Sequence, residues 1–175
     1  MRLSNLSAFW PTTIVLILDQ VSKIWVRSSL TLGESIPVLG KYFFRLTHVE
    51  NTGVAFGLKA GSPLFLILFN GVASVIIAYL LLRSGRGGAN PFPRTVRFAM
   101  ALILGGAIGN LIDRTFFGRV TDFLDFDFPD FIMTRWPVFN VADSSVTIGV
   151  TIWCLYLVFS TLYKPKTTQD FTTSP

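Results

Sequence analysis

Four long apolar runs alternate along the chain with shorter segments that are rich in polar and turn-forming residues. The second run is the clearest, because residues 63–82 are almost uninterrupted by polar side chains and about 20 residues cross a bilayer as a helix. The other runs cover residues about 8–28, 96–114 and 138–163. The pattern predicts four transmembrane helices in a single integral membrane domain, residues 1–175.

The two longer connecting segments have a different pattern. Residues about 31–62 mix Gly and Pro with short β-forming patches, KYFFRLTHV and GVAFG among them. Residues about 115–137 alternate acids with aromatics in VTDFLDFDFPDF. They predict a small β-type cradle and a loop outside the membrane, attached to an otherwise all-α bundle of four transmembrane helices.

The distribution of basic residues predicts the orientation of these helices. The short connection between the second and third runs holds no acid and contains four arginines: Arg83, Arg86, Arg94 and Arg97. Such a loop is a strong cytoplasmic signal, and the C-terminal tail is basic as well. With four spans, both termini are expected in the cytoplasm, and both longer segments are expected on the outer side.

Composition agrees with a membrane protein. The chain is 51% hydrophobic and 14% charged, with a mean hydropathy of +0.56, whereas soluble domains carry about 25% charged residues. The net charge of +5 could indicate a nucleic-acid partner. However, the basic residues gather between the apolar runs and do not follow one face, so no nucleic acid is expected.

Few residues are suited to metal binding or thiol chemistry. The single cysteine, Cys154, excludes an internal disulfide and is expected to pack among apolar side chains. His48 is the only histidine, has no second His or Cys nearby and is expected at the polar surface. The acids from Asp122 to Asp130 lack the glycine of a calcium loop. No metal or other cofactor is therefore expected.

Polar side chains lie at the predicted outer ends of the runs, where ionisable groups are costly to desolvate and mark functional sites. Asp19 and Lys23 are spaced i, i+4 and can pair on one face of the first helix. A pair that snorkels to the membrane surface is the alternative. Gly105 and Gly109 in the third run allow a neighbouring helix to approach closely.

Two carboxylates are candidates for catalysis. Asp143 shares a helical face with Asn140, Ser144 and Thr147, and Asp122 lies in the outer loop before them. If the two carboxylates meet in a partly dry site, they cannot both ionise and will share a proton. One can then activate water while the other polarises a peptide carbonyl, as in aspartic proteolysis.

Structural roles remain open for two of these acids. Asp113 follows Asn110 on the third helix and stands beside Arg114, with which it could form a structural ion pair. Asp143 could instead be a helix N-terminal acid that is favoured by the helix dipole.

Two other functions compete with catalysis. A small proton-coupled transporter or channel could use the same aspartates as relays. Such proteins are expected to have acids near mid-bilayer and broken, repeated helices, whereas here the acids cluster near one face and no repeat is visible. A non-catalytic assembly subunit is the second competitor.

Five motifs carry a resemblance to a known family. They are DQVSK (19–23), NTGVAFG (51–57), GNLIDR (109–114), GRVTDFLDF (118–126) and FNVADSS (139–145). Each alone is a weak signature, but all five occur in order across the four predicted spans. Together they resemble the lipoprotein signal peptidases, the type II signal peptidases of bacteria.

The resemblance implies an aspartic endopeptidase of the bacterial inner membrane, whose active site lies near the outer face. It would remove the signal peptide from prolipoproteins by cleaving before a diacylglyceryl-modified cysteine. The implied catalytic pair is Asp122 and Asp143. The implied supporting residues are Asp19, Lys23, Asn51, Gly53, Asn110, Asp113, Arg114, Asn140 and Ala142. The expected partners are the prolipoprotein signal peptide and membrane lipids, and the enzyme is expected to be a monomer.

Overall fold

Helices dominate the computed structural model, which describes residues 7–55, 58–59, 63–84, 92–127 and 135–162. The helices in these ranges are α1 (Trp10–Ser29), α2 (Pro63–Arg83), α3 (Arg94–Phe117) and α4 (Val141–Leu162). The strands are β1 (Ser35–Leu39), β2 (Phe44–Asn51), β3 (Val54–Ala55), β4 (Leu58–Lys59) and β5 (Val120–Phe126). A mainly helical fold with a small antiparallel sheet is confirmed.

Helix α3 lies at the centre and contacts each of the other three helices. Its glycines make this possible, because a Cβ at Gly105 would stand 2.8 Å from Cβ of Val15 on α1. A Cβ at Gly109 would stand 2.6 Å from Asp19 Oδ2 on the same helix. The predicted close approach at this pair of glycines is confirmed.

Three of the described helices are long and apolar enough to cross a membrane: Leu64–Arg83, Arg94–Phe117 and Val141–Leu162. Helix α1 is not among them, and it carries Asp19, Lys23 and Arg27 in its second half. The fourth span therefore stays a prediction at this point.

The strands form a three-stranded antiparallel sheet in the order β1-β2-β5 and a separate β3-β4 pair. Strand β5 directly follows α3, and Gly118 between them adopts a left-handed conformation with φ +69°. Residues 120–126 were expected in a loop. They form a strand because β2 supplies a partner, with Val49 opposite Asp122 and Asn51 opposite Val120.

The sheet is held against the helices by apolar contacts. Phe123 of β5 packs with Val26 and Leu30 at the end of α1. The backbone N–H of Leu124 donates to the carbonyl of Phe139 at 2.7 Å, just before α4 begins. These contacts bring β5 to the junction of α1, α3 and α4.

Two expectations about single residues are wrong. His48 is only 6% exposed, because it bonds to the turn that follows α1: its Nδ1 lies 2.9 Å from the Leu30 carbonyl, which accepts its hydrogen bond, and its backbone N–H donates to the Glu34 carbonyl. Cys154 is exposed on the outward face of α4, which also exposes Val150 and Val158. The thiol is therefore not a buried packing residue within the bundle.

Substitution Gly106→Ala tests the helix contacts. An added Cβ would collide with the carbonyl oxygen of Ala142 and stand 2.6 Å from Ser145 Oγ, so α3 and α4 would have to separate. We expect a loss of about 1–3 kcal/mol in stability, measured as a lower Tm in detergent. Gly71→Ala is the control, because a Cβ there meets nothing within 4 Å. Equal Tm values for the two variants would contradict this account of the packing.

Candidate active site

Two carboxylates face each other across the junction between the sheet and the helices. Asp122 lies in the middle of β5 and is only 2% exposed. Asp143 lies in the first turn of α4 and is half-buried. The strand follows the end of α3 and the helix begins nearby, so residues 21 positions apart in the sequence meet at one end of the bundle.

Asn140 joins the two carboxylates through its side chain and its backbone. Its Nδ2 donates to Asp122 Oδ1 at 2.6 Å. Its Oδ1 accepts from the backbone N–H of Asp143 at 2.9 Å, and its own N–H donates to Asp143 Oδ2 at 3.3 Å. This reciprocal pattern is a capping box, in which the residue before a helix and the third residue of its first turn satisfy one another. The start of α4 thus holds Asp143 in a defined position.

Asn110 and Asn51 approach the pair from opposite sides. Asn110 Nδ2 donates to Asp143 Oδ1 at 2.7 Å from the end of α3. Asn51 Nδ2 donates to Asp122 Oδ2 at 3.1 Å from the end of β2. Asn51 Oδ1 in turn accepts from the N–H of Gly53 at 2.9 Å, and Gly53 needs its φ of +107° for this tight turn. Every oxygen of the two carboxylates therefore has a donor.

Burial is the main reason why the pKa of Asp122 rises to about 7, and the negative charge of Asp143 adds to it. The hydrogen bonds from Asn51 and Asn140 and the charge of Lys23 lower this pKa but do not cancel the effect. Asp122 therefore keeps a proton under conditions in which an ordinary aspartate has lost it. This is the electrostatic pattern of a carboxylate pair that shares one proton.

A buried ion cluster stands behind the pair. Lys23 Nζ lies 2.9 Å from Asp19 Oδ2 and 3.2 Å from Asp113 Oδ2, and all three side chains are 0% exposed. Lys23 also donates to Asn110 Oδ1 at 3.0 Å. Asp19 Oδ1 accepts from the backbone N–H of Ala142 at 2.9 Å. The predicted pairing of Asp19 with Lys23 is confirmed, and the alternative of a surface pair is wrong.

Asp113 fixes the start of β5. Its Oδ2 accepts from the backbone N–H of Thr121 at 3.1 Å, and its Oδ1 lies 3.4 Å from Arg27 Nη1. Arg27 also donates to Thr121 Oγ1 at 3.1 Å. Because Thr121 immediately precedes Asp122, these contacts set the position of the carboxylate.

Arg114 does not pair with Asp113 among the described contacts, so the expected structural ion pair is wrong. Asp113 turns toward α1 instead, where two cations meet it. The Nη1 of Arg114 donates to the Asn110 carbonyl at 3.5 Å, and its Nε is buried without a hydrogen-bond partner. Its positive charge interacts most strongly with Asp143 and also with Asp122.

The hydroxyl groups near Asp143 do not take part in the site. Ser144 Oγ donates to the Asn140 carbonyl at 2.8 Å, and Thr147 Oγ1 donates to the Asp143 carbonyl at 2.9 Å. Both satisfy the backbone of their own helix. Within the described residues there is no group of three or more His, Cys, Asp or Glu side chains that could hold a metal ion.

Sequence reasoning missed two parts of this arrangement. Arg27 is spaced i, i+4 from Lys23, which was a usable signal for its contact with Asp113. Asp125 was considered only as part of an acidic run, but it is buried and contacts Thr47, Arg45 at 3.2 Å and Arg135 at 2.5 Å. Burial opposes ionisation of Asp125, but its bonds from Arg135 and Thr47 outweigh burial and lower its pKa.

The sequence matches the profile described as Signal peptidase (SPase) II over residues 12–159. The chain belongs to the signal peptidase II family. It is 42% identical over 154 residues to a lipoprotein signal peptidase of Desulforapulum autotrophicum, covering 85% of this chain and 90% of that one. It is 44% identical to a lipoprotein signal peptidase of Moorella thermoacetica, covering 83% and 88%.

A solved structure shares the fold. It is a bacterial membrane enzyme determined by the in meso method, with a TM-score of 0.78, 28% sequence identity and coverage of 94% of both chains. Membership of the family makes this chain a membrane peptidase of the aspartic type that acts on signal peptides. The transporter and channel interpretation receives no support.

Substitution Lys23→Met tests the buried ion cluster. It would leave Asp19 and Asp113 buried without their shared cation, and breaking a buried ion pair in this way costs about 3–5 kcal/mol. We expect a large fall in Tm in detergent. Arg119→Gln is the control, since its ion pair with Glu50 is half-exposed and contributes at most about 1 kcal/mol. A Tm for Lys23→Met as high as that of Arg119→Gln would show that the cluster does not hold the helices.

Proposed function

We propose that Asp122 and Asp143 are the catalytic pair with which this signal peptidase II cleaves the signal peptide from bacterial prolipoproteins. The bridge through Asn140 carries this proposal, because one residue donates to both carboxylates: its side-chain Nδ2 to Asp122 Oδ1 and its backbone N–H to Asp143 Oδ2. The raised pKa of Asp122 agrees with a shared proton. The similar proteins of Desulforapulum autotrophicum and Moorella thermoacetica are lipoprotein signal peptidases, which supports prolipoproteins as substrates.

In the proposed mechanism Asp122 holds the shared proton and Asp143 is the ionised member. Asp143 takes a proton from water as the water oxygen attacks the carbonyl carbon of the peptide bond. Asp122 donates its proton to the carbonyl oxygen, which forms a tetrahedral diol. When the diol collapses, Asp143 returns a proton to the leaving amine and Asp122 recovers one from a diol hydroxyl. The pair ends in its starting state.

The neighbours of the pair have positioning roles in this proposal. Asn110 and Asn140 orient Asp143 by donating to both of its oxygens. The Nε–H of Arg114 is buried and has no hydrogen-bond partner among the described residues. The positive charge of Arg114 interacts electrostatically with both carboxylates, so it can also stabilise negative charge on the reacting peptide. Lys23 keeps Asn110 in the orientation in which its Nδ2 faces Asp143.

The remaining expected residues shape the site more indirectly. Asp19 receives the N–H of Ala142 and so ties α1 to the start of α4. Asp113 fixes β5 through Thr121. Asn51 and Gly53 form the wall beside Asp122.

We also propose that α1 is the fourth span. Its charged residues face the bundle, since Asp19 and Lys23 are fully buried. The opposite face of the same helix exposes mainly large apolar side chains, which suits contact with lipid. These are Ile14, Ile17, Leu18, Val21, Ile24 and Trp25. A helix with paired, buried charges and an apolar outer face can cross a bilayer.

Four spans place both termini in the cytoplasm and the carboxylate pair near the outer face of the bacterial inner membrane. The scissile bond of a lipid-anchored substrate lies at the same headgroup depth. The enzyme acts as a monomer in this proposal. The signal peptide can then dock beside the helices, while the acyl chains on the substrate cysteine stay in the lipid. No cofactor takes part in this proposal.

Replacing either catalytic carboxylate tests the pair. We expect Asp122→Asn and Asp143→Asn each to reduce cleavage of a diacylglyceryl-modified prolipoprotein by at least about 1000-fold, because neither amide can exchange the required proton. Tm values close to that of the parent would show that both variants fold. Asp127→Asn is the matched control, because that carboxylate is 34% exposed and its ion pair among the described residues is a long one, 3.6 Å to Arg135 Nη1. Near-parent activity in either dyad variant would exclude that carboxylate from catalysis.

The pH dependence of cleavage tests the role of Asp122. Because Asp122 must be protonated and its pKa is about 7, activity should fall as the pH rises above about 7. Asn51 stabilises the ionised form of Asp122 by its hydrogen bond. Asn51→Ala should therefore raise the pKa and move the alkaline limb of the kcat/KM profile to higher pH.

The matched control for the pH profile is Thr147→Ala, whose hydroxyl is exposed and bonds only its own helix. Its alkaline limb should coincide with that of the parent. A limb that moves to lower pH in Asn51→Ala, or does not move, would contradict the assignment of the proton to Asp122.

A further inference from the structure

A second polar cavity lies at the opposite end of α3 from the carboxylate pair. It has a volume of about 520 Å³ and is lined by the beginnings of α1 and α3. Its walls include Trp10, Pro11, Arg94, Arg97 and Phe98. From Arg97 to Asn110 the distance along the helix is roughly 20 Å, so this cavity is separate from the active site.

The two arginines in this cavity have no acidic partner among the described residues, whose ion pairs all lie elsewhere. The Nε of Arg97 is buried and has no hydrogen-bond partner. Residues 1–18 and 51–112, from which both walls of the cavity come, contain no Asp or Glu. A buried guanidinium nitrogen is costly without an acceptor, and none of the described residues supplies one, so the cavity is suited to an external anion.

The apolar part of the cavity indicates what kind of anion fits. Trp10 and Phe98 have ring centroids 5.9 Å apart, and Trp10 is 57% exposed. Exposed aromatic rings at the end of a membrane-spanning helix lie at headgroup level. Arg94 begins a helix that is apolar enough to cross the membrane, so the guanidinium groups lie at the same level. A guanidinium binds phosphate oxygens in a two-pronged geometry.

We propose that this cavity binds the phosphate-bearing headgroup of an anionic phospholipid in the cytoplasmic leaflet. Arg94 and Arg97 contact the phosphodiester, and Trp10 and Phe98 pack against the glycerol and the upper acyl chains. Basic pockets between transmembrane helices on the cytoplasmic side bind acidic lipids in this way. The lipid supplies the acceptor that the described residues do not offer and anchors the inner ends of α1 and α3.

The binding of phosphatidylglycerol to the purified full chain, measured by native mass spectrometry in detergent, tests this proposal. We expect Arg94→Gln combined with Arg97→Gln to weaken the first bound lipid by roughly 10- to 30-fold, as removal of two arginines near an anionic headgroup does. Phosphatidylcholine should bind the parent more weakly and should not distinguish it from the variant.

The matched control is Arg83→Gln. Arg83 ends α2 on the same side of the membrane, but it lies over the Tyr79 ring at 5.5 Å and does not line the cavity. Its affinity for phosphatidylglycerol should stay within about twofold of the parent, since a distant charge is screened. An equal loss in Arg83→Gln and in the double variant would show a general surface attraction and would overturn the site.

Two further results separate the lipid from other ligands. If glycerol 3-phosphate, at concentrations similar to the lipid, displaces phosphatidylglycerol, the site takes a soluble phosphate and the proposal is wrong. If the double glutamine variant does not fold, Arg94→Lys combined with Arg97→Lys replaces it. This double lysine variant keeps the charge but loses the two-pronged geometry. The increase in Tm on adding phosphatidylglycerol should therefore be smaller than in the parent but still present. An increase equal to that of the parent would overturn the proposal.

Discussion

The need to neutralise charge inside the bundle constrains the rest of this structure. Lys23 is completely buried, and its ammonium group is held by the carboxylates of Asp19 and Asp113. An unpaired charge at this depth would be costly, so the three residues must stay together. They belong to two helices, and a further bond from Ala142 to Asp19 brings in a third. The glycines of α3 allow the helices to come close enough for these contacts.

The proposed catalytic pair depends on this cluster without being part of it. Lys23 contacts Asn110, which donates to Asp143, while Asp113 holds Thr121 next to Asp122. The buried cluster of Asp19, Lys23 and Asp113 thus positions both carboxylates through their neighbours. The two carboxylates accept hydrogen bonds from amide groups and lie close enough to repel each other. Burial, together with this repulsion, raises the pKa of Asp122. The buried ion cluster thus positions the site, whereas the carboxylate pair is proposed to carry out the chemistry.

The two ends of α3 differ in how they satisfy their charges. At its C-terminal end, acids and bases of the chain neutralise one another. At its N-terminal end, Arg94 and Arg97 line a cavity, and no described residue forms an ion pair with them. A membrane can supply the missing anion through its lipid headgroups. In these proposals the bilayer holds the substrate of the enzyme and also supplies a lipid that stabilises its fold.

The sequence by itself determined the helical runs, the segments between them and the candidate carboxylates. Long apolar runs and ordered motifs are local signals, so residues such as Asp122, Asp143 and Asn140 could be recognised without coordinates. The spacing of Asp19 and Lys23 likewise predicted their ion pair, because i, i+4 neighbours share a helical face.

Only the tertiary structure decided the partners across elements. Asp113 stands next to Arg114 in the sequence, yet it contacts Lys23 and Arg27 of another helix, because helix geometry and packing direct its side chain toward α1. His48 is buried because it bonds to the turn after α1, which no local pattern reveals. The pairing of β5 with β2 turned an expected loop into the strand that carries Asp122. Such contacts join residues far apart in the chain, and periodicity carries no information about them.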